Sequence, residues 1–140
     1  MPTEVDQGAN PMAFTTMVRE FTRACHDDLP ATPTQLSPDA VAFIREMVSD
    51  EMEELAEAQT PVDQADALVD AMYYICDCAV RHGMNLDPLF AIVHQANMGK
   101  VVDGKVIRRD DGKILKPKGW QPPEPALETE MSRQAAKGSW

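Results

Sequence analysis

Four times along this chain a capping residue stands directly before a proline: Asn10-Pro11, Ser37-Pro38, Thr60-Pro61 and Asp87-Pro88. Such side chains accept hydrogen bonds from the unpaired N–H groups of a first helical turn, and proline at the first helical position sacrifices no donor. Behind each pair the apolar residues recur at the 3.6-residue period. Phe14, Met17, Val18, Phe21 and Cys25 mark the first helix, and Val41, Ile44, Met47, Val48 and Leu55 the second. Val62, Ala65, Leu68, Val69, Met72, Ile75, Cys76 and Ala79 mark the third, ending near Gly83, and Leu89, Ile92, Val93 and Ala96 the fourth, ending near Gly99. Four helices on short connections predict an all-α four-helix bundle.

After Gly99 the pattern changes. Lys105–Arg108 and Lys113–Lys116 read as short β-prone runs around an Asp110-Asp111-Gly112 turn, giving a C-terminal extended arm or a small β-hairpin. At 140 residues there is one core and no second. The expected organisation is a flexible N-terminus over 1–9, a single domain with its arm over 10–122, and a flexible polar tail over 123–140.

Charge narrows the function. With 23 acids against 13 bases, a net −10 disfavours binding to a nucleic-acid polymer. No apolar run is long enough for a membrane span, and no charged-then-apolar leader opens the chain. Three cysteines do not form a disulfide framework, so a cytoplasmic location is expected. From Glu46 to Asp77 there are ten carboxylates and no lysine or arginine, whereas Gly99–Trp120 is basic. Most charge runs are solvated faces; helical phase separates those that are not. Glu51 falls inside the second helix's apolar stripe and Glu54 at its edge, while Glu46, Glu53 and Glu57 point away. On the third helix Asp63, Asp66, Asp70 and Asp77 share one face of a segment apolar nearly all round, which predicts burial of Asp70 against another helix. Four converging carboxylates require a cation or protons. All-oxygen donors favour Mg²⁺ or Mn²⁺ over zinc. No Glu-x-x-His pair suits a di-iron site, and Cys76-x-Cys78 is better explained by packing.

The run Asp50-Glu51-Met52-Glu53-Glu54-Leu55-Ala56-Glu57-Ala58 resembles the EExxExxEA helix of the all-α nucleoside triphosphate pyrophosphatases, which include MazG-like enzymes, dimeric dUTPases and phosphoribosyl-ATP pyrophosphohydrolases. Asp66 to Tyr74 is similar to the family's second acidic helix. His94-Gln95-Ala96-Asn97-Met98-Gly99-Lys100, with Asp103-Gly104-Lys105 and Arg109 to Lys113, resembles the fourth helix and arm of phosphoribosyl-ATP-pyrophosphohydrolase-like members. The resemblance implies Mg²⁺-dependent cleavage between the α and β phosphates of a nucleotide, with Glu51, Glu54 and Asp70 as catalytic metal ligands. The family's glutamate three residues before that aspartate is Ala67 here. Asp66 is the substitute, one turn from Asp70 on the same face, and Asp63 with Asp66 is a second reading. Asp50 is a candidate second-metal or water-orienting group. Asn97 and Lys100, with Lys105 and Lys116 of the arm, are the implied substrate-binding residues, and a homodimer or tetramer is the implied assembly. Trp120 is expected to pack the arm down rather than stack on a base. Two rival readings are a non-catalytic, metal-dependent nucleotide-binding protein and an acidic interaction module. The second requires Glu51 and Asp70 to be exposed.

Overall fold

A computed structural model describes residues 13–140. Its elements run α1 (Phe14–Cys25), α2 (Pro38–Glu57), α3 (Pro61–Arg81), α4 (Leu86–Met98), β1 (Val101–Val102), β2 (Lys105–Val106) and α5 (Glu124–Lys137). The expected flexible stretch 1–9 and the Asn10-Pro11 cap lie outside the described residues. The expected all-α bundle with a small C-terminal hairpin is what the chain forms.

Two of the caps work as the sequence predicts. Ser37 Oγ accepts from the Ala40 N–H at 3.1 Å and Thr60 Oγ1 from the Asp63 N–H at 3.1 Å, each with proline behind it. The Asp87-Pro88 expectation is corrected. The fourth helix starts at Leu86, and its cap is Asn85, whose Oδ1 accepts from the Asp87 N–H at 3.1 Å. The Asp87 carboxylate serves a different helix: its oxygens accept from Thr15 N–H at 2.8 Å, Thr16 N–H at 3.1 Å and the Thr16 hydroxyl at 2.6 Å. Helix α1, which has no side-chain cap of its own at Ala13, is thereby capped from α4.

Helices α2 and α3 fold back on each other across Ala58–Thr60, and α1 packs along α3 from another side. Helix α4 leans on α1, and α5 on α4. The small residues Ala67, Ala71 and Ala79, with Val80 and Cys76, make the buried faces of the central helix α3 and permit close approach from both sides. Burial all round is not reached, however. Leu68, Val69, Met72 and Ile75 keep between 45% and 56% of their surface, because among the described residues α3 packs mainly against α1 and α2.

The strands lie around an earlier turn than the expected one, and the two expected runs meet at a single bridge. Val101 pairs with Val106 and Val102 with Lys105 across a tight Asp103-Gly104 turn, both of whose residues have positive φ, as a two-residue hairpin turn of this type requires. Arg108 and Ile114 form one further bridge around Asp111-Gly112. The expected frayed tail over 123–140 is likewise corrected, since α5 occupies most of it. Gln134 is fully buried, with Oε1 accepting from the Asn85 N–H at 3.0 Å and Nε2 donating to the Asn85 carbonyl at 2.9 Å. Ser139 is also buried: its N–H donates to the Ala31 carbonyl at 3.0 Å and its hydroxyl to the Gly83 carbonyl. Polar anchors, not an apolar stripe, hold this segment, which is why periodicity did not disclose it. Gly83 completes the junction. A Cβ there would lie 2.1 Å from the Thr32 carbonyl oxygen, and its φ of +70° disfavours any other residue. Among the described residues no helix is long and apolar enough to cross a membrane.

Candidate active site

The packing of α2 on α3 places one carboxylate where solvent barely reaches it. Glu51 retains 8% of its surface, and its Oε2 is buried with no hydrogen-bond partner. Burial raises the Glu51 carboxyl above the usual carboxylate range. The charge of Glu54, a hydrogen bond shared with it, and the charges of Asp70 and Asp66 push the same way. The other three carboxylates singled out in the sequence thus act on Glu51, which is innermost, with Asp70 half-buried and Glu54 and Asp66 exposed. Among the described residues no three His, Cys, Asp or Glu side chains are drawn close enough together to hold a metal ion. Like charges with nothing between them repel, and the exposed Glu54 and Asp66 have room to stand apart. The donor chemistry nevertheless fits a hard divalent cation: oxygens only, one of them buried and unpaired. Asp50 is exposed and does not count among the groups acting on Glu51. Ala67, in the place of the family's glutamate, is 2% exposed and packed in the core.

Glu51 and Asp70 open into a cleft of about 370 Å³, walled by Phe21 and Cys25 from α1 and by Tyr73, Tyr74, Asp77 and Arg81 farther along α3. Phe21 and Tyr73 meet edge to face, ring centres 6.0 Å apart. Asp77 is tied on both sides. Its Oδ1 accepts from the Thr22 hydroxyl at 2.7 Å, and its Oδ2 lies 2.9 Å from Arg81 Nε. Phe21, Tyr73, Tyr74 and Arg81 were not singled out from sequence. The Asp77–Arg81 spacing of four is the signal in the sequence for this pair.

The expected phosphate-binding residues do not line this cleft. Lys100 donates to Asn97 Oδ1 at 3.2 Å, and the ammonium groups of Lys100 and Lys116 lie 5.3 Å and 4.8 Å from the Trp120 ring centre. Trp120 donates to the Ala96 carbonyl at 2.7 Å and packs over Gly99, so its ring pins the arm to the end of α4. Lys105 is exposed on β2. Burial pushes the Cys76 and Cys78 thiols up, which makes neither a ready nucleophile.

Among the described residues the bundle holds one buried carboxylate oxygen without a partner, Glu51 Oε2, beside a cleft that Asp70 also lines, within an all-α architecture. The sequence model of the phosphoribosyl-ATP pyrophosphohydrolase family matches residues 18–97, more than half of the chain, and the chain belongs to that family. The family lies within the MazG-like all-α nucleoside triphosphate pyrophosphatase superfamily. No individual curated protein matches the chain. Membership makes the protein a pyrophosphohydrolase, a hydrolase of nucleotide-like substrates. The matched span runs from within α1 to the end of α4, so the arm and α5 lie beyond it.

Proposed function

We propose that the protein hydrolyses a nucleoside or deoxynucleoside triphosphate, or a related nucleotide, between the α and β phosphates, giving a monophosphate and pyrophosphate with the aid of Mg²⁺ or Mn²⁺. The observation that carries this reading is the buried, unpartnered Oε2 of Glu51 amid three further carboxylates. A buried anionic oxygen without a partner costs free energy that a cation would recover. Glu51, Glu54, Asp66 and Asp70 are the residues to hold that ion, with Asp50 at the rim. A bound divalent ion supplies neutralisation of phosphate charge and a more acidic water. Glu51, the innermost carboxylate, would help to hold that ion, and its raised affinity for a proton would fall once the ion is bound. Asp70 borders the cleft on the same side and orients the reacting end of the substrate.

The acidic-module reading needs an exposed Glu51, and the burial of that residue disfavours it. The buried Ala67 supports a second reading, a nucleotide-binding protein with one ligand too few for turnover. Asn97, Lys100, Lys105 and Lys116 are proposed as phosphate contacts supplied to the cleft of a second copy. A homodimer, or a tetramer, would also cover the apolar surface left on Leu68, Val69, Met72 and Ile75. All three cysteines are free, which suits a reducing, cytoplasmic setting.

The test is product analysis with Mg²⁺ across the common ribo- and deoxynucleoside triphosphates, dUTP and phosphoribosyl-ATP. Pyrophosphate as the first product supports hydrolysis. Orthophosphate, or binding without turnover, rejects it. Asp70→Asn should abolish both turnover and the Mg²⁺-induced rise in melting temperature, while Glu53→Gln, outside the carboxylate set, should change neither by much.

A further inference from the structure

A second cavity, of about 550 Å³, is larger than the cleft beside Glu51 and shares no residue with it. One wall is the face of α4 that carries Ala91, Ile92, Gln95 and Ala96. The other is the chain from Pro117 to Pro123, with Ala126 of α5 beside it. The α4 wall lies within the family-matched span, and the wall facing it lies wholly beyond. The arm and α5 of this chain therefore add the cavity to the matched helices. We propose that it binds a small ligand made of a planar aromatic ring and an anionic group, the ring against Trp120 and the anion toward Lys118.

Charge and shape both select that chemistry. In a chain of net −10, no carboxylate lines the cavity, and the one charged residue that does is Lys118. A metal cation finds no carboxylate there, whereas an anion meets an ammonium group. Lys100 and Lys116 add to the field, with ammonium groups 5.3 Å and 4.8 Å from the Trp120 ring centre. Among the described residues none of these three lysines pairs with a carboxylate. The rest of the lining is mostly apolar, which favours a ring over a bare phosphate. Trp120 supplies the flat surface. Its indole lines the cavity while Lys100 and Lys116 do not, so ring surface is turned toward a ligand. That ring is fixed in advance. Its Nε1–H donates to the Ala96 carbonyl at 2.7 Å, and Gly99 leaves room for its edge, since a Cβ there would lie 3.2 Å from Trp120 Cδ1. Pro117, Pro122 and Pro123 stiffen the same wall. A preorganised wall costs a ligand little ordering entropy. Gln95 and Gln121 bring amide donors and acceptors to the lining for the edge of the ring.

The chain has two tryptophans, and Trp140 does not line the cavity, so it serves as an internal control. The experiment is fluorine NMR of the full chain labelled with 5-fluorotryptophan, with the two signals assigned through Trp140→Phe. No divalent metal is added, so that binding at the carboxylates is not promoted. Two anions, 2-naphthoate and GMP, are compared with their neutral counterparts, 2-naphthylmethanol and guanosine, and with inorganic phosphate. The expected result is a saturable Trp120 shift with at least one anion, about tenfold tighter than with its neutral counterpart. Trp140 should stay unmoved and phosphate silent at the same concentrations. The tighter anion tells a free aromatic acid from a nucleotide as the source of the ligand. Lys118→Gln should weaken the bound anion about fivefold without changing the neutral compounds, and Lys118→Arg should restore it. Lys118 is exposed, so neither change threatens the fold. Silence of Trp120 with both anions would overturn the inference. So would equal affinity for charged and neutral compounds, an equal response to phosphate alone, an equal shift of Trp140, or full anion affinity in Lys118→Gln. Trp120 shifts that follow protein concentration without any ligand would put a second copy of the chain in the cavity, and would overturn it too.

Discussion

Asp87→Ala is expected to cost the fold about 2–3 kcal/mol. One carboxylate accepts three hydrogen bonds at the start of α1, two of them from backbone N–H groups, and α1 has no cap of its own. Loss of a capping side chain costs about 1–2 kcal/mol. Removing a negative charge from a helix N-terminus adds about 0.5–1 kcal/mol. Thr15 is buried, so water replaces the lost acceptor poorly at its N–H. For a domain of this size about 3–5 °C of melting temperature corresponds to each kcal/mol, so a drop of about 6–15 °C is expected. Asp87→Asn keeps an acceptor and loses the charge, and should fall about 1 kcal/mol below wild type. Urea unfolding at matched protein concentration gives the energies, and hydrogen exchange shows where they act: amides of α1 should lose protection ahead of those of α2 and α3. A cost under about 0.5 kcal/mol for Asp87→Ala, below any cap range, or unchanged α1 exchange, would refute the view that α1 is capped from α4. Because Thr22 and Phe21 ride on α1, the same variant should loosen the cleft as well as the fold.

Glu51 predicts an unusual pH dependence without added metal. Its carboxyl lies above the unfolded value, so the folded state binds the extra proton, and stability should fall as pH rises from the ordinary carboxylate range through the raised value. Glu51→Gln should flatten that slope in urea titrations, and Mg²⁺ should do the same for wild type; a wild-type slope that persists in Glu51→Gln assigns it elsewhere. Gln134→Ala strands the N–H and carbonyl of Asn85 and should cost about 2–4 kcal/mol. An equilibrium unfolding curve superimposable on wild type would show that α5 is not anchored there.

The features that were legible in the sequence are those set by local chemistry. Ser37-Pro38 and Thr60-Pro61 begin helices because the capping oxygen and the proline act within one turn. Glu51 stood out because a carboxylate inside an apolar stripe has no inexpensive local explanation, and it is the buried one. The features missed depend on partners distant in sequence. Asp87-Pro88 places the start of α4 two residues late, because the Asp87 carboxylate serves α1 and Asn85 is the cap. The breadth of apolar residues on α3 suggested a helix enclosed on all sides, whereas its small residues mark the faces this chain covers. Helix α5 carries its anchoring in Gln134 and Ser139, polar residues whose burial no periodicity announces. Arg81 follows the acidic run by one helical turn, and its pairing with Asp77 places it at the cleft.

The junction of Ala31, Gly83, Asn85, Gln134 and Ser139 has a kinetic consequence. Its bonds join the segment between α1 and α2 to residues nearly at the other end of the described chain. The α2–α3 pair needs only a three-residue connection to meet and can form early. The junction must close a loop that spans most of the described chain, and so belongs to a late stage of folding and an early stage of opening. A protease acting on the native protein should therefore cut between Cys25 and Ser37 only as often as the C-terminal segment lifts away. The rate of that cut would measure how firmly a helix outside the family-matched region governs the connection from α1 to α2.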